Sequence, residues 1–150
     1  MKKTETKIDK CEIGDLLEIN KEFEDLMNDL QLVPNVAAVF CNKKLLNHVK
    51  ELTKLQNGAI LSYDTTYDTG DFYLSILICR HRGFIGEPEI PIGYLVHRKR
   101  DTESHELFFR RIKALFPCIY SANIIIVTDR EMGIKNAISS TLPNAVNLFC

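Results

Sequence analysis

Residues 123–129 read Asn-Ile-Ile-Ile-Val-Thr-Asp, an unbroken β-branched aliphatic run that ends on a carboxylate. A strand with one face in water alternates apolar and polar residues, so four successive aliphatic side chains mark a strand covered on both faces, as parallel strands in α/β sheets are. The run therefore belongs in the middle of a sheet. Asp129 follows it at the carboxyl end of a parallel strand, the edge where open α/β sheets place their ligands.

The remaining elements arrange themselves around that strand. The turn signal Gln56-Asn57-Gly58 divides the chain into a helical N-terminal segment, residues 1–57, and a β-rich part, residues 58–150. In the first part Ile13, Leu16, Leu17, Phe23, Met27 and Leu30, then Leu45, Leu46, Val49, Leu52 and Leu55, recur at helical spacing and predict two amphipathic helices. In the second, Ala59 to Tyr67 and Phe72 to Arg80 flank Asp68-Thr69-Gly70-Asp71 and predict a hairpin. A third strand follows at Ile90 to His97. Pro91 cannot donate to a ladder, which predicts a sheet edge there. Asp101-Thr102-Glu103-Ser104 can cap a helix ending at Phe116 before Pro117. After the central strand come a helix from Glu131 to Thr141 and a short strand from Ala145 to Phe149.

Composition narrows the function classes. With 150 residues, 45% apolar and 26% charged, the chain has the balance of one globular domain with a sizeable core. The longest apolar stretches, Leu74 to Cys79 and Ile124 to Val127, are far too short to span a bilayer, and the polar start at Met1-Lys2-Lys3 lacks a secretory apolar region. An intracellular protein is expected. The five cysteines, Cys11, Cys41, Cys79, Cys118 and Cys150, lie tens of residues apart without a Cys-x-x-Cys pair, so neither a disulfide framework nor a zinc ribbon is expected. A net charge of −1 does not announce a nucleic-acid binder.

Asp64 and Asp129 stand out by setting. Asp64 sits alone inside the strongly β-forming run Ala59-Ile-Leu-Ser-Tyr-Asp64-Thr-Thr-Tyr67, where Asp is disfavoured and its charge is costly to bury unpaired. Three meandering strands, a helix, a buried strand, a helix and a strand (β-β-β-α-β-α-β) is the order of the ribonuclease H-like mixed sheet, in which these two strands lie side by side. Asp64-Thr65-Thr66-Tyr67 resembles the first-strand motif of the Mutator-like (MULE-type) group of Asp-Asp-Glu (DDE) transposases. Thr128-Asp129-Arg130-Glu131, with Gly133, Ala137-Ile138, Pro143-Asn144-Ala145 and Cys150, resembles the second-aspartate block of that group. The likeness covers roughly Gly58 to Cys150.

The resemblance implies a catalytic core acting on DNA by phosphodiester hydrolysis and strand transfer, with Asp64 and Asp129 as catalytic, metal-holding carboxylates. Mg²⁺ is the implied cofactor, with Mn²⁺ as a substitute, because hard divalent cations prefer carboxylate oxygens. The implied partner is DNA at transposon ends, and the implied location is the nucleus. In the family the second block runs on past the cysteine to a histidine and then to a catalytic glutamate. Here no Asp or Glu follows Glu131. A truncated core, inactive by itself, is therefore expected, the alternative being a domesticated DNA- or protein-binding module without catalysis. Such a core lacks helices for both sheet faces, so self-association through apolar sheet surface is expected unless the N-terminal helices cover it.

Plainer roles stay open beside these. Thr128 with Glu131 fits a capping box, which makes Asp129 a helix-entry residue, and Asp64 can pair with Arg80 or Arg82. Arg98, Lys99, Arg100, Arg110 and Arg111 are candidate DNA contacts, although basic runs are commonly solvated surface. A single terminal Cys150 cannot make a four-ligand zinc site, so zinc is not expected. His81, His97 and His105 have no mutual ligand spacing and carry no predicted role.

Overall fold

The structure, a computed structural model, describes residues 27–31, 36–56, 58–66, 70–80, 85–120 and 123–150. The part of the predicted Ile13 to Leu30 helix before Met27, Asp68 and Thr69 of the predicted turn, and Cys11, His81 and Arg82 lie outside the described residues. Among the described residues seven strands form one sheet: β1 (Met27–Gln31), β2 (Ala37–Cys41), β3 (Ala59–Thr66), β4 (Tyr73–Arg80), β5 (Glu89–His97), β6 (Ile124–Thr128) and β7 (Val146–Phe149). Their order across the sheet is β1-β2-β5-β4-β3-β6-β7. The part from β5 to β7 is the antiparallel meander followed by two parallel strands of a ribonuclease H-like fold. Three α-helices accompany it, α1 (Lys43–Gln56), α2 (Thr102–Leu115) and α3 (Met132–Thr141).

The aliphatic run forms β6, which pairs in parallel with β3 on one side and with β7 on the other. Its alternate residues Ile124 and Ile126 are fully buried under the helices, while Ile125 and Val127 are half-buried on the other face. Parallel neighbours need a crossover, and α2 supplies part of one. The Asp101 carboxylate accepts from the Ser104 amide at 2.9 Å and starts α2 where the sequence predicted. Phe108, Phe109 and Ile112 of α2 are fully buried, and Tyr63 of β3 stacks on Phe108 with centroids 5.1 Å apart. Gly93 makes room for them on β5, since a Cβ there would stand 3.0 Å from Ile112 Cδ1 and 3.1 Å from Phe108 Cζ. Helix α3 packs on α2, with Ile134, Ala137 and Ile138 in the same core.

Two expectations change before and within the sheet. Met27 and Leu30, read as the end of a helix, lie in β1, which pairs antiparallel with β2. β2 then pairs with β5, so β5 is an interior strand, not an edge. Pro91 is tolerated because the β2 pairing spans only Gly93 to His97, and on the β4 side Pro91 falls at a register shift between Leu77 and Ile78. The second predicted helix is present as α1, capped by Asn42, whose Oδ1 accepts from the amides of Lys44 and Leu45. Its Leu46 and Val49 join the core beside Ala37, Val39 and Cys41. On the face away from α2, Ile60, Ile76, Ile78 and Val96 are half-buried, and Val146 and Leu148 of the edge strand β7 are exposed.

Gly58 determines how β3 approaches β6. Its φ of +152° favours glycine, and an added Cβ would sit 2.5 Å from the carbonyl oxygen of Asn123. The next residue, Ala59, donates to that same carbonyl at 3.3 Å and opens the parallel pairing. Gly58→Ala is therefore expected to lower stability by roughly 1–3 kcal/mol through backbone strain and collision, read as a lower urea midpoint; an unchanged midpoint would show that the β3 entrance relaxes freely.

Candidate functional site

The parallel register aligns Ala59 with Ile124 and continues in step to Tyr63 with Thr128. Asp64 and Asp129 are each the next residue. They therefore lie at the same end of two neighbouring strands, whose backbones run about 4.8 Å apart. Asp64 is exposed, stands opposite Ile76 of β4, and takes no ion pair among the described residues. Arg80, one candidate partner, is at the other end of the hairpin opposite Ile60 and pairs with Glu89 at 3.1 Å. Asp129 is half-buried, and its Oδ1 accepts from the Glu131 amide at 3.0 Å.

That hydrogen bond replaces the predicted capping box. Glu131 occupies the cap position of α3 without a side-chain cap bond, and the Thr128 hydroxyl donates instead to Asn147 Oδ1 on β7 at 3.3 Å. The Glu131 carboxylate turns toward α2. Arg100 donates to it from Nε at 3.0 Å and from its terminal guanidinium nitrogen, and His105 Nε2 lies 3.4 Å away. A fixed ion-paired carboxylate therefore sits two residues from Asp129, held from both the solvent and core sides.

Directly beneath lies a buried polar cluster that sequence spacing did not signal. Tyr63 Oη is 2.9 Å from His105 Nδ1, and Ser75 Oγ is 2.9 Å from His97 Nε2. His97 Nδ1 is 2.7 Å from the Lys99 carbonyl, and Thr65 Oγ1 is 2.9 Å from Ser75 Oγ. The His97 and His105 rings meet edge-on with centroids 5.0 Å apart. Tyr63, Ser75, His97 and His105 are all fully buried. Burial pushes His105 down to about 4, His97 pushes it the same way, and Glu131 opposes. Burial also lowers His97 and raises the Tyr63 hydroxyl. The available hints were a strand-terminal His97 that follows Leu95-Val96 and a helix-entry His105 one turn before Phe108 and Phe109.

The candidate DNA contacts separate into two groups. Arg98, Lys99 and Arg100 follow β5 at the same sheet end as Asp64 and Asp129, all exposed. Arg98 lies over the Phe72 ring at 5.2 Å from its centroid, and Arg100 over Tyr73 at 5.7 Å. Arg110 and Arg111 do not join them. They lie nine and ten residues into a helix that starts at that end, about 13 Å along its axis. Arg110 pairs with Glu106, and Arg111 is half-buried with its Nε lacking a hydrogen-bond partner among the described residues. On the other flank of Asp129 a cleft of about 340 Å³ is lined by Arg130, Met132, Lys135 and Phe149. Of the described cysteines, Cys41 and Cys79 are buried, with thiols pushed up to about 12 and about 11 by burial, and Cys118 and Cys150 are exposed.

Among the described residues no group of three or more His, Cys, Asp or Glu is arranged to hold a metal ion. Among the described residues no helix is long and apolar enough to cross a membrane. A family model, that of the MULE transposase domain, matches residues 60–150, which include both aspartates and more than half of the chain. No curated protein matches the chain.

The buried His105 makes stability depend on acid pH. Its folded value of about 4 lies below the ordinary 6.5, so between these pH values the unfolded chain binds a proton that the folded chain refuses. Stability is then flat above pH 6.5 and falls as the pH drops toward 4, by roughly 3 kcal/mol from this group. Urea titrations at pH 7.5 and pH 4.5 should show that loss, and His105→Gln should shrink it; an identical pH response in both chains would assign the acid sensitivity elsewhere.

Proposed function

This chain belongs to the MULE transposase domain family, and on that premise we propose that it is the two-aspartate part of a DDE-type DNA transposase core. Family membership gives a transposase-related function, DNA interaction in general, and dependence on a divalent metal. The observation that carries the finer reading is the register of β3 with β6, which sets Asp64 and Asp129 one residue beyond the aligned Tyr63 and Thr128.

Two carboxylates at one sheet end fit the hard oxygen donors that Mg²⁺ or Mn²⁺ takes. When bound, such ions stabilise the attacking and leaving oxygens of an in-line phosphodiester displacement. Asp64, exposed on β3, is open to an ion from solvent. Asp129 keeps its second carboxylate oxygen available while the Glu131 amide holds the first. Arg98 and Lys99 extend a positive rim from β5 toward the same end, suited to DNA phosphates at transposon ends. Arg100 contributes less to that rim because Glu131 already engages it.

No Asp or Glu follows Glu131 in residues 132–150, so these residues provide two of the three acids that a DDE site uses. The alternative, a transposase-derived DNA- or protein-binding module without catalysis, is separated from this reading by whether the two aspartates bind metal. On the transposase-core reading the 150-residue chain by itself is expected to bind divalent metal weakly and to join no DNA strands.

Calorimetric titration with Mn²⁺ tests the metal reading. Weak binding is expected, lost in both Asp64→Asn and Asp129→Asn, each of which keeps the fold. Asp129→Asn should also raise metal-free thermal stability slightly, since a like charge is removed while Asn can still accept from the Glu131 amide. Mn²⁺ binding that survives both substitutions would place the ion elsewhere and remove this reading.

A further inference from the structure

We propose that Tyr63, Ser75, His97, His105 and Glu131 are positioning residues, a buried hydrogen-bond chain that fixes the placement of Asp64 relative to Asp129. The inference rests on the metal reading of those two aspartates and adds how their spacing is held. Both residues flanking Asp64 enter the chain, Tyr63 through His105 and Thr65 through Ser75. At the other end, Glu131 hands its own amide to Asp129.

The direction of each bond follows from its terminal acceptor. An ionised Glu131 carboxylate only accepts, so His105 Nε2 must carry the proton it shares with Glu131. The neutral ring then has a bare Nδ1, which accepts from the Tyr63 hydroxyl. The Lys99 carbonyl likewise only accepts, so His97 Nδ1 donates to it and Nε2 accepts from Ser75. The Ser75 oxygen is left to accept from Thr65. Each proton has an assigned acceptor, and the lines Tyr63-His105-Glu131 and Thr65-Ser75-His97 meet at the two imidazoles and where Ser75 reaches the Tyr63 hydroxyl.

Simple satisfaction of buried polar atoms does not account for where the chain runs. Thr53, also buried, satisfies its hydroxyl on the Val49 carbonyl one helical turn away at 2.8 Å. The Tyr63 and Glu131 side chains instead meet on the same imidazole, 68 positions apart in sequence, and each belongs to or adjoins a strand end that carries one aspartate. Arg100 closes the far side of Glu131, so that neither of its oxygens is left to solvent alone. Outer partners of this sort orient metal-holding side chains, and their loss commonly weakens metal binding about 10- to 100-fold.

The test is Tyr63→Phe in the full 150-residue chain, because Phe keeps the ring stacked on Phe108 and removes only the hydroxyl. Mn²⁺ titrations at a temperature where every variant is folded should show Kd rising about 10- to 100-fold. Thr53→Val, which deletes a buried hydroxyl bond far from the aspartates, should leave Kd unchanged while lowering the thermal midpoint. Glu131→Ala should weaken Mn²⁺ as Tyr63→Phe does, and Glu131→Gln, which keeps an acceptor for His105, should recover much of the loss. Without metal, the Glu131 amide should exchange its hydrogen faster in Tyr63→Phe than in the parent chain. Equal Kd values for the parent and Tyr63→Phe overturn the proposal. If the parent binds no Mn²⁺, the metal reading fails separately, and unchanged Glu131 amide exchange in Tyr63→Phe then overturns the positioning role as well.

Discussion

The parallel pairing of β3 with β6 is the constraint on which the rest of the molecule depends. Two strands far apart in sequence can run in parallel only if the chain returns across the sheet, and β4, β5 and α2 make up that return. Glycine at position 58 allows the close approach that starts the pairing, and the register then carries two aspartates to one edge without any contact between them being needed for folding. β6 tolerates its position because Ile124 and Ile126 join the core that α2 and α3 share, while Ile125 and Val127 are half-buried on the opposite face. Every residue at the Asp64 and Asp129 edge inherits its place from this one alignment.

Polar groups beneath that edge would be expensive if left alone, since an unpaired buried donor or acceptor costs about 1–3 kcal/mol. Here Tyr63, Ser75, His97 and His105 satisfy one another and end on a backbone carbonyl and on an ion-paired carboxylate. A purely apolar core would avoid the desolvation but could not orient the strand ends, because dispersion contacts have little directionality. Elsewhere under the sheet the same helices use aromatic and aliphatic packing, with Phe108, Phe109 and Ile112. The change from apolar packing to hydrogen bonds along α2 coincides with the sheet end that carries the aspartates.

Much of the β5-to-β7 architecture was legible because it rests on local signals. The aliphatic run, the Asp101 cap, the hairpin alternation and the proline stops each act within a few residues, and they correspond to β6, α2, the β3–β4 pair and the ends of α2 and α3. The N-terminal strands were not legible for a related reason. Met27 and Leu30 stand three residues apart and satisfy a helical period, and Ala37 to Cys41 is too short and too rich in alanine to declare a strand. Their strand form is fixed by pairing from outside, β2 on the edge of β5 and β1 on β2. The interior position of β5 was missed because Pro91 was weighed as an edge marker, whereas the register shift at Leu77 and Ile78 accommodates it. The motif residues Asp64 and Asp129 were readable in one dimension. The histidines were not, since His97 and His105 acquire their partners only when β3, β4 and α2 come together.

The charge balance also looks different once it is placed on the fold. A net charge of −1 argues against nucleic-acid binding only if charges are spread evenly, because phosphate contacts respond to local potential within about a Debye length, roughly 8–10 Å. Several basic side chains are neutralised where they stand: Arg80 by Glu89, Arg110 by Glu106, and Arg100 by Glu131. The acids in those pairs count toward the net charge but are not available to repel DNA. Arg98 and Lys99 on one flank of the aspartates, and Arg130 and Lys135 on the other, are exposed. A sheet end with two carboxylates at its centre and cations on both flanks suits a phosphodiester backbone, whose phosphates can meet the flanks. A divalent ion would cancel the two negative charges of that centre and leave the flanking cations to set the sign of the edge. For this chain, local charge is therefore the better guide to a nucleic-acid partner, and it agrees with the family.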